Sequence, residues 1–328
     1  MRIFSGIQPT GSKHLGNFIG AIRGWVEGQE RGEAIYCLVD LHAITVPYQP
    51  EALRETVLDT TAILIAAGLD PDRCILFRQS DVPEHTELTW LLSAVTAYGD
   101  LQRMTQFKEK SAQQRELVSA GIFIYPMLQA ADILAYNADE VPVGDDQRQH
   151  LELARDVAQR FNARFGETFV VPKHRIPAVG ARIMDLQEPS KKMSTTAESD
   201  AGVIRVLDPP ETVAKKIKSA VTDSGSDVVR APDKPGVTNL IDILAVVRGV
   251  GPEEIESEFN SSGYGQFKQA VADAVVDYLA PVRERYRELR ADEQYLLQTL
   301  DTGAEKAHAI AHPIVDTARD RMGVGRPS

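Results

Sequence analysis

What most limits the fold open to this chain is the way its first eighty or so residues switch between two hydrophobic periods. Short, nearly uninterrupted apolar runs at 2–7, 34–39 and 74–77 alternate with longer stretches whose apolar residues fall three and four apart. In the first such stretch these are Leu15, Phe18, Ile19, Ile22, Trp25 and Val26; in the second, after Pro50, they are Leu53, Val57, Leu58, Leu64 and Ile65. Spacing of three and four marks one buried face of a helix, while a strand apolar on both sides has to be covered on both. Strand, helix, strand, helix, strand with right-handed crossovers therefore predicts a parallel sheet with helices on its two faces.

That is an α/β fold with a doubly wound, Rossmann-like sheet. Further along, 98–120 is more loosely patterned and charged and reads as an insertion. A helix is expected at 121–136, a strand at 141–143, a helix at 147–165, and closing strands at 169–171 and 181–184. Past 186 comes a polar loop, 187–200, and then helices at 211–221, 239–248, 252–259, 266–289, 292–300 and 304–321 with no convincing strand. A length of 328 residues favours more than one core. The expected division is a nucleotide-binding unit over 1–186, a mobile loop over 187–200 and a helical domain over 201–328.

Composition narrows the class. With 43% hydrophobic and 25% charged residues the chain reads as globular. The best apolar stretch, 61–69, is flanked by Asp59 and Asp70 and is too short to span a bilayer. The N-terminus lacks a signal-peptide pattern, so the cytoplasm is the expected compartment. Cys37 and Cys74 make neither a disulfide scaffold nor a zinc site. A net charge of −11 speaks against non-specific nucleic-acid binding and leaves room for a local basic face.

Two polar stretches carry candidate chemistry. Gln8-Pro9-Thr10-Gly11-Ser12-Lys13-His14-Leu15-Gly16-Asn17 lies between the first strand and the first helix. Unpaired amides and the positive end of a helix dipole suit an anion there, and His14 and Asn17 would present donors to phosphate oxygens. Read alone, it is equally a plain helix start with a solvated histidine. Pro189-Ser190-Lys191-Lys192-Met193-Ser194-Thr195-Thr196 combines lysine, hydroxyls and free amides in a loop, which suits a pyrophosphate; read alone, it is a solvated charge run.

A third signal is Asp132. Tyr125, Leu128, Asp132, Ala135 and Tyr136 share one helix face, so this carboxylate falls in an apolar stripe; read alone, it is equally an exposed helical aspartate. A buried carboxylate needs a donor, and an indole offers a single N–H and no acceptor. One carboxylate in an otherwise apolar, aromatic cavity would complement tryptophan.

Taken in order, His14-Leu15-Gly16-Asn17 and Lys192-Met193-Ser194-Thr195-Thr196 resemble the HIGH and KMSKS signatures of class I aminoacyl-tRNA synthetases. The stretches 4–11, 104–110, 130–134, 141–147 and 220–224 are similar to the bacterial tryptophanyl-tRNA synthetase family, and the resemblance runs essentially end to end. It implies activation of L-tryptophan with ATP and transfer to tRNA(Trp), by a homodimer whose helical C-terminal domain reads the anticodon. Mg²⁺ is implied with ATP, although no dedicated ligand set is visible.

By this resemblance His14, Asn17, Lys110, Lys192 and Ser194 act on the triphosphate. ATP would also contact Gln8, Pro9, Thr10, Gly16, Gly144, Asp145, Asp146, Ile183, Met193, Thr195 and Thr196. Tryptophan would be enclosed by Phe4, Gly6, Val39, His42, Ile133, Val141 and Val143, with Asp132 on the indole and Tyr125 and Gln147 near its α-amino and carboxylate ends. Asp146 with Gln149 also reads as a helix capping box, and Lys215, Lys216 and Lys218 as a basic track for RNA or a solvated face. Asn17 stands where HIGH has its second histidine and Thr195 where KMSKS has its second lysine. The competing expectations are a tyrosyl-tRNA synthetase and a tryptophan-binding paralogue that does not aminoacylate.

Overall fold

The computed structural model describes residues 1–104, 119–142, 144, 147–175, 182–194 and 199–325. Its centre is a five-stranded sheet in the order β3-β2-β1-β4-β5, every neighbouring pair parallel. The strands are β1 (Arg2–Ile7), β2 (Glu33–Leu38), β3 (Cys74–Arg78), β4 (Glu140–Pro142) and β5 (Lys173–Arg175). The doubly wound expectation is met, and the strand order reverses between β1 and β4. In such sheets the crevice beyond the carboxyl ends of the strands at that reversal is where ligands bind.

β1 leads through the turn 8–13 into α1 (Leu15–Asn17), a π-helical stretch (Phe18–Ile22) and α2 (Arg23–Gly28). Next come α3 (Asp40–Ala43), α4 (Pro50–Ala66), α5 (Glu84–Ser93), α6 (Tyr98–Gln102), α7 (Ala120–Leu134) and α8 (Arg148–Phe165). Beyond 201 the described elements are α9 (Pro210–Lys218), α10 (Pro235–Arg248), α11 (Pro252–Phe259), α12 (Gly263–Arg290) and α13 (Glu293–Met322). One apolar cluster runs from Leu15, Ile22 and Leu64 through Ile183 and Met193 to Val213, Leu240 and Val275, so the late helices share buried surface with the sheet's helices. Asp59 on α4 ties to α12 as well, accepting from Tyr286 Oη and Arg290 Nε, each at 2.8 Å.

Three expectations are corrected. Residues 169–171 are not a strand, because the amides that would form a ladder are taken by side chains: Asn162 Oδ1 accepts from Phe169 at 2.9 Å and Asn137 Oδ1 from Val170 at 2.8 Å. The closing strand is the polar Lys173–Arg175, paired with β4. In 181–184 Ala181 lies outside the described residues, and Met184 makes only an isolated bridge to Lys192 while Asn239 holds its backbone N–H and C=O at 2.9 and 3.0 Å. The helices expected at 292–300 and 304–321 are one helix of 30 residues, α13. Gly303 within it is a contact point and no terminator: a Cβ there would lie 1.9 Å from the Leu76 carbonyl oxygen, so only glycine lets the helix lie on β3.

Candidate active site

The turn after β1 is shaped by Gly11, whose φ of +60° falls in the left-handed region. It is braced from inside by Lys13, which is 5% exposed and donates to the carbonyls of Gln8 at 2.6 Å and Thr10 at 3.4 Å. Burial lowers the Lys13 amine to about 8, so it remains mostly charged near neutrality. At the start of α1, His14 and Asn17 cap one another: His14 Nδ1 accepts from the Asn17 amide at 3.2 Å, and Asn17 Oδ1 accepts from the His14 amide at 3.3 Å. Because Nδ1 accepts, the proton of the neutral ring resides on Nε2. Burial, then the charges of Lys192, Lys13 and Arg205, push the ring down to about 4. His14 is thus a neutral donor in a positive field, with Gly16 packed on its ring and on Ile183.

The polar loop reaches this point from the other side. Met193 N–H donates to Ile183 O at 3.0 Å and Asp185 N–H to Lys191 O at 2.9 Å. Asp185, 6% exposed, accepts from the amides of Gln187 and Glu188, and Gly202 packs so close that a Cβ would overlap its carboxylate. Met193 is anchored in the core while Lys192 is exposed beside His14. The base of the loop is therefore rigid, and its lysine is presented outward toward the helix start. Lys191 pairs with Glu188 at 2.8 Å.

Asp132 lies 2% exposed within the α7 stripe, as the helical spacing predicts. Its surroundings differ from the expected apolar cavity. Oδ1 accepts from Gln79 Nε2 at 2.6 Å and from His85 Nδ1 at 2.6 Å, and Oδ2 from His42 Nε2 at 2.7 Å. Burial would raise this carboxyl, but the charge and hydrogen bond of His42 and then those of His85 outweigh it and hold the group down at about 2. His85 Nε2 meets Tyr136 Oη at 2.7 Å, and the Tyr136 ring stacks on Phe4 at 5.4 Å. Each carboxylate oxygen has two acceptor positions, so among the described residues Oδ2 keeps one open. Phe4, Val39, Ile133 and Val141 belong to the same buried cluster, and Gly6 approaches Val39 so closely that a Cβ would sit 2.9 Å from its Cγ1. Tyr125 meets His150 Nε2 at 2.8 Å, and its ring lies edge-on to His42.

A cleft of about 160 Å³ opens at the β1–β4 reversal, lined by Gly6, Gly20, Gly24, Pro142, Gly144 and Gln147 among others. A Cβ on Gly20 or Gly24 would meet nothing within 4 Å, so these glycines leave room in it. The arrangement joins an anion-ready helix start, an outward lysine, a glycine-lined cleft and a buried carboxylate near the carboxyl ends of one sheet.

Residues 1–280 match the family model of tRNA synthetases class I (W and Y). The chain belongs to this family. It is 52% identical over 326 residues, 98% of this chain and 96% of the relative, to the tryptophan–tRNA ligase 2 of Streptomyces avermitilis. Among solved structures it superposes on tryptophanyl-tRNA synthetase of Mycoplasma pneumoniae with a TM-score of 0.91 at 37% identity, covering 99% and 98% of the two chains. It also superposes on the Campylobacter jejuni enzyme complexed with ADP and tryptophan, at 0.85 and 34%, covering 99% and 100%.

For a class I synthetase the structure gathers His14, Gly16, Asn17, Ile183, Lys192 and Met193 at one place. Lys110, Val143, Asp145, Asp146, Thr195 and Thr196 lie outside the described residues. Lys216 does not belong to a solvent-facing basic track: it is 6% exposed and donates to Val203 O and Asp208, while Lys215 and Lys218 remain exposed. Sequence reasoning missed His85 and Gln79, the donors on Asp132, together with Lys13 and Arg205. Only Lys13 carried a signal, its place inside the candidate turn.

Proposed function

We infer that this class I synthetase is a tryptophan–tRNA ligase, forming tryptophanyl-adenylate and pyrophosphate from tryptophan and ATP and passing the aminoacyl group to tRNA(Trp). The observation that carries the reading is the buried Asp132, held charged by three donors with an acceptor position left on Oδ2. An indole N–H would complete that set, and a site built around a buried hydrogen-bonding group rejects side chains lacking the partner. Phe4, Gly6, Val39, His42, Ile133 and Val141 would enclose the ring, with Val143 beside them and Tyr125 and Gln147 toward the amino-acid end.

The tryptophan carboxylate is already ionised, so its oxygen attacks the α-phosphorus without a general base. The bond to the bridging oxygen breaks, and the electron pair leaves with pyrophosphate. Catalysis then consists of alignment and of stabilising that departing charge. Lys192 is the cation for this, His14 Nε2–H a neutral donor and Asn17 Nδ2 a second, with Ser194 and Lys110 completing the grip. Gly16, Ile183 and Met193 shape the nucleotide wall, Gln8, Pro9, Thr10, Thr195 and Thr196 border the triphosphate, and Gly144 to Asp146 meet the ribose. Mg²⁺ would be carried in on the ATP phosphates, as class I chemistry with ATP implies. When bound it neutralises phosphate charge.

The aromatic side chains of Trp90 and Tyr98, 78% and 68% exposed, support a homodimer that would cover them, and the exposed Lys215 and Lys218 support contact with tRNA phosphates. Division into a catalytic unit over 1–186, a closing loop over 187–200 and an anticodon-reading helical part over 201–328 follows from the same reading, as does a place in the cytoplasm. The test is pyrophosphate exchange with each of the twenty amino acids. Exchange with tryptophan alone is expected. Tyrosine-dependent exchange would replace the reading with a tyrosyl enzyme, and tryptophan binding without exchange would replace it with a non-aminoacylating paralogue.

A further inference from the structure

At the start of α5, one residue before the His85 that bonds Asp132, lies a second group of side chains that the ligase reaction does not use. Glu84 opens α5, and His308 and His312 stand one helical turn apart on α13. Their donor atoms lie within 4.8 Å of one another. Both imidazoles converge on one carboxylate oxygen: His308 Nδ1 is 2.8 Å and His312 Nδ1 3.1 Å from Glu84 Oε1, with the rings 5.0 Å apart. The two histidine side chains are 52% and 51% exposed, whereas that of Glu84 is only 7% exposed.

The carboxylate is unfinished. Glu84 Oε2 is buried and has no hydrogen-bond partner among the described residues. A buried carboxylate oxygen without a donor is costly, and such an atom in a native fold calls for an explanation such as an ion. His312 also has an outer partner, since its Nε2 lies 3.2 Å from Asp316 Oδ2 one turn further on. A carboxylate on the second ring nitrogen orients a metal-bound histidine and raises its basicity. The scaffold is rigid: Ala304, Ala307 and Ala311 on the same helix are buried, and Gly303 locks α13 onto β3.

We propose that Glu84, His308 and His312 bind a late first-row divalent cation, Zn²⁺ by preference, which clamps the C-terminal helix to the catalytic unit. Two imidazoles and a carboxylate suit Zn²⁺, Co²⁺ or Ni²⁺ over Mg²⁺, which prefers an all-oxygen shell. Bonds of about 2.0–2.2 Å set the ligand atoms of a tetrahedral site roughly 3.3 Å apart, so each histidine nitrogen has to draw back a little from Glu84 Oε1, now at 2.8 and 3.1 Å, which exposed histidines do by small rotations. The half-exposed histidines leave a further position for water, and the ion fixes α5 at the residue immediately before His85.

The test uses the full-length chain, stripped with a chelator and dialysed, then titrated with Co²⁺ and followed by its visible absorption, with Zn²⁺ and Mg²⁺ as competitors and thermal unfolding in parallel. One Co²⁺ per chain with a ligand-field spectrum, displaced by Zn²⁺ and not by Mg²⁺, and a rise in Tm with Zn²⁺ are expected. The double variant His308→Ala/His312→Ala should bind about 10²-fold more weakly or worse, and Asp316→Asn about tenfold more weakly, given that losing an outer partner alone costs about 10–100-fold. Glu84→Gln tests the third ligand, and the histidine variants, being at the surface, keep the test valid should Glu84→Gln fail to fold. No saturable Co²⁺ binding, or wild-type affinity in the double histidine variant, overturns the proposal.

Discussion

Around Asp132 the polar groups are set before any ligand arrives, with one acceptor position kept on Oδ2; around Lys192 they are not. Asp132, His42, Gln79 and His85 are each no more than 5% exposed and bonded to one another from four segments of chain. Lys192 is exposed on a loop whose base is tethered through Met193 and Asp185, and His14 presents a neutral Nε2–H whose ring the Lys192 charge reaches. The difference matches the two tasks. Selecting one side chain needs a rigid, desolvated acceptor whose mismatch is expensive, whereas stabilising charge that appears only as pyrophosphate leaves needs cations whose full effect is reserved for the transition state.

The comparison breaks most visibly at Asp132. Asp132→Asn keeps the size but sets an amide donor among existing donors, so the kcat/KM ratio of tryptophan to phenylalanine should fall by as much as about 10⁴-fold, with a stability loss of about 1–3 kcal/mol. An unchanged ratio would remove Asp132 from the pocket. Lys192→Ala should slow single-turnover adenylate formation about 10²-fold or more, about 3 kcal/mol, and leave the tryptophan Kd alone. Equal losses in binding and rate would show that the lysine holds the ground state.

His14 sharpens the comparison through pH. Its folded value of about 4 lies below the ordinary 6.5, so its contribution to stability is present above pH 6.5 and is lost as pH falls from 6.5 to 4. The loss is about 3 kcal/mol at 1.36 kcal/mol per pH unit. In chemical denaturation at a series of pH values, His14→Gln should flatten the curve over that window; a variant curve parallel to wild type would mean the ring is not held neutral by its burial. The smallest effect is at the cleft. Gly24→Ala should raise stability by about 0.5–1 kcal/mol through helix propensity while its methyl weakens ATP binding a few-fold. Higher Tm with unchanged ATP affinity would place the nucleotide elsewhere.

The alternation of periods, the buried position of Asp132 and the two loop signatures were all legible because each is written in neighbouring residues: a helix face repeats every three or four, a strand core is continuous, and an anion-ready turn lies between them. The missed features share the opposite property. Gln79 and His85 are 53 and 47 residues from Asp132 and sit in an unremarkable polar turn and helix start, so no spacing announced them. The Phe169-Val170-Val171 region has the pattern of a strand, but Asn162 and Asn137 claim the Phe169 and Val170 amides.

Sequence alone determined the class of fold, the order of its elements and the family to which it belongs, since these depend on local periodicity and on short contiguous motifs. Tertiary structure alone decided that the charge of Lys192 is felt at His14, that three donors converge on one carboxylate, and that Gly303 joins two expected helices into one against β3. The physical reason is that hydrogen-bond partners and close backbone approaches are chosen by whichever surfaces the packed core brings within a few ångströms, and distance along the chain carries no record of that choice.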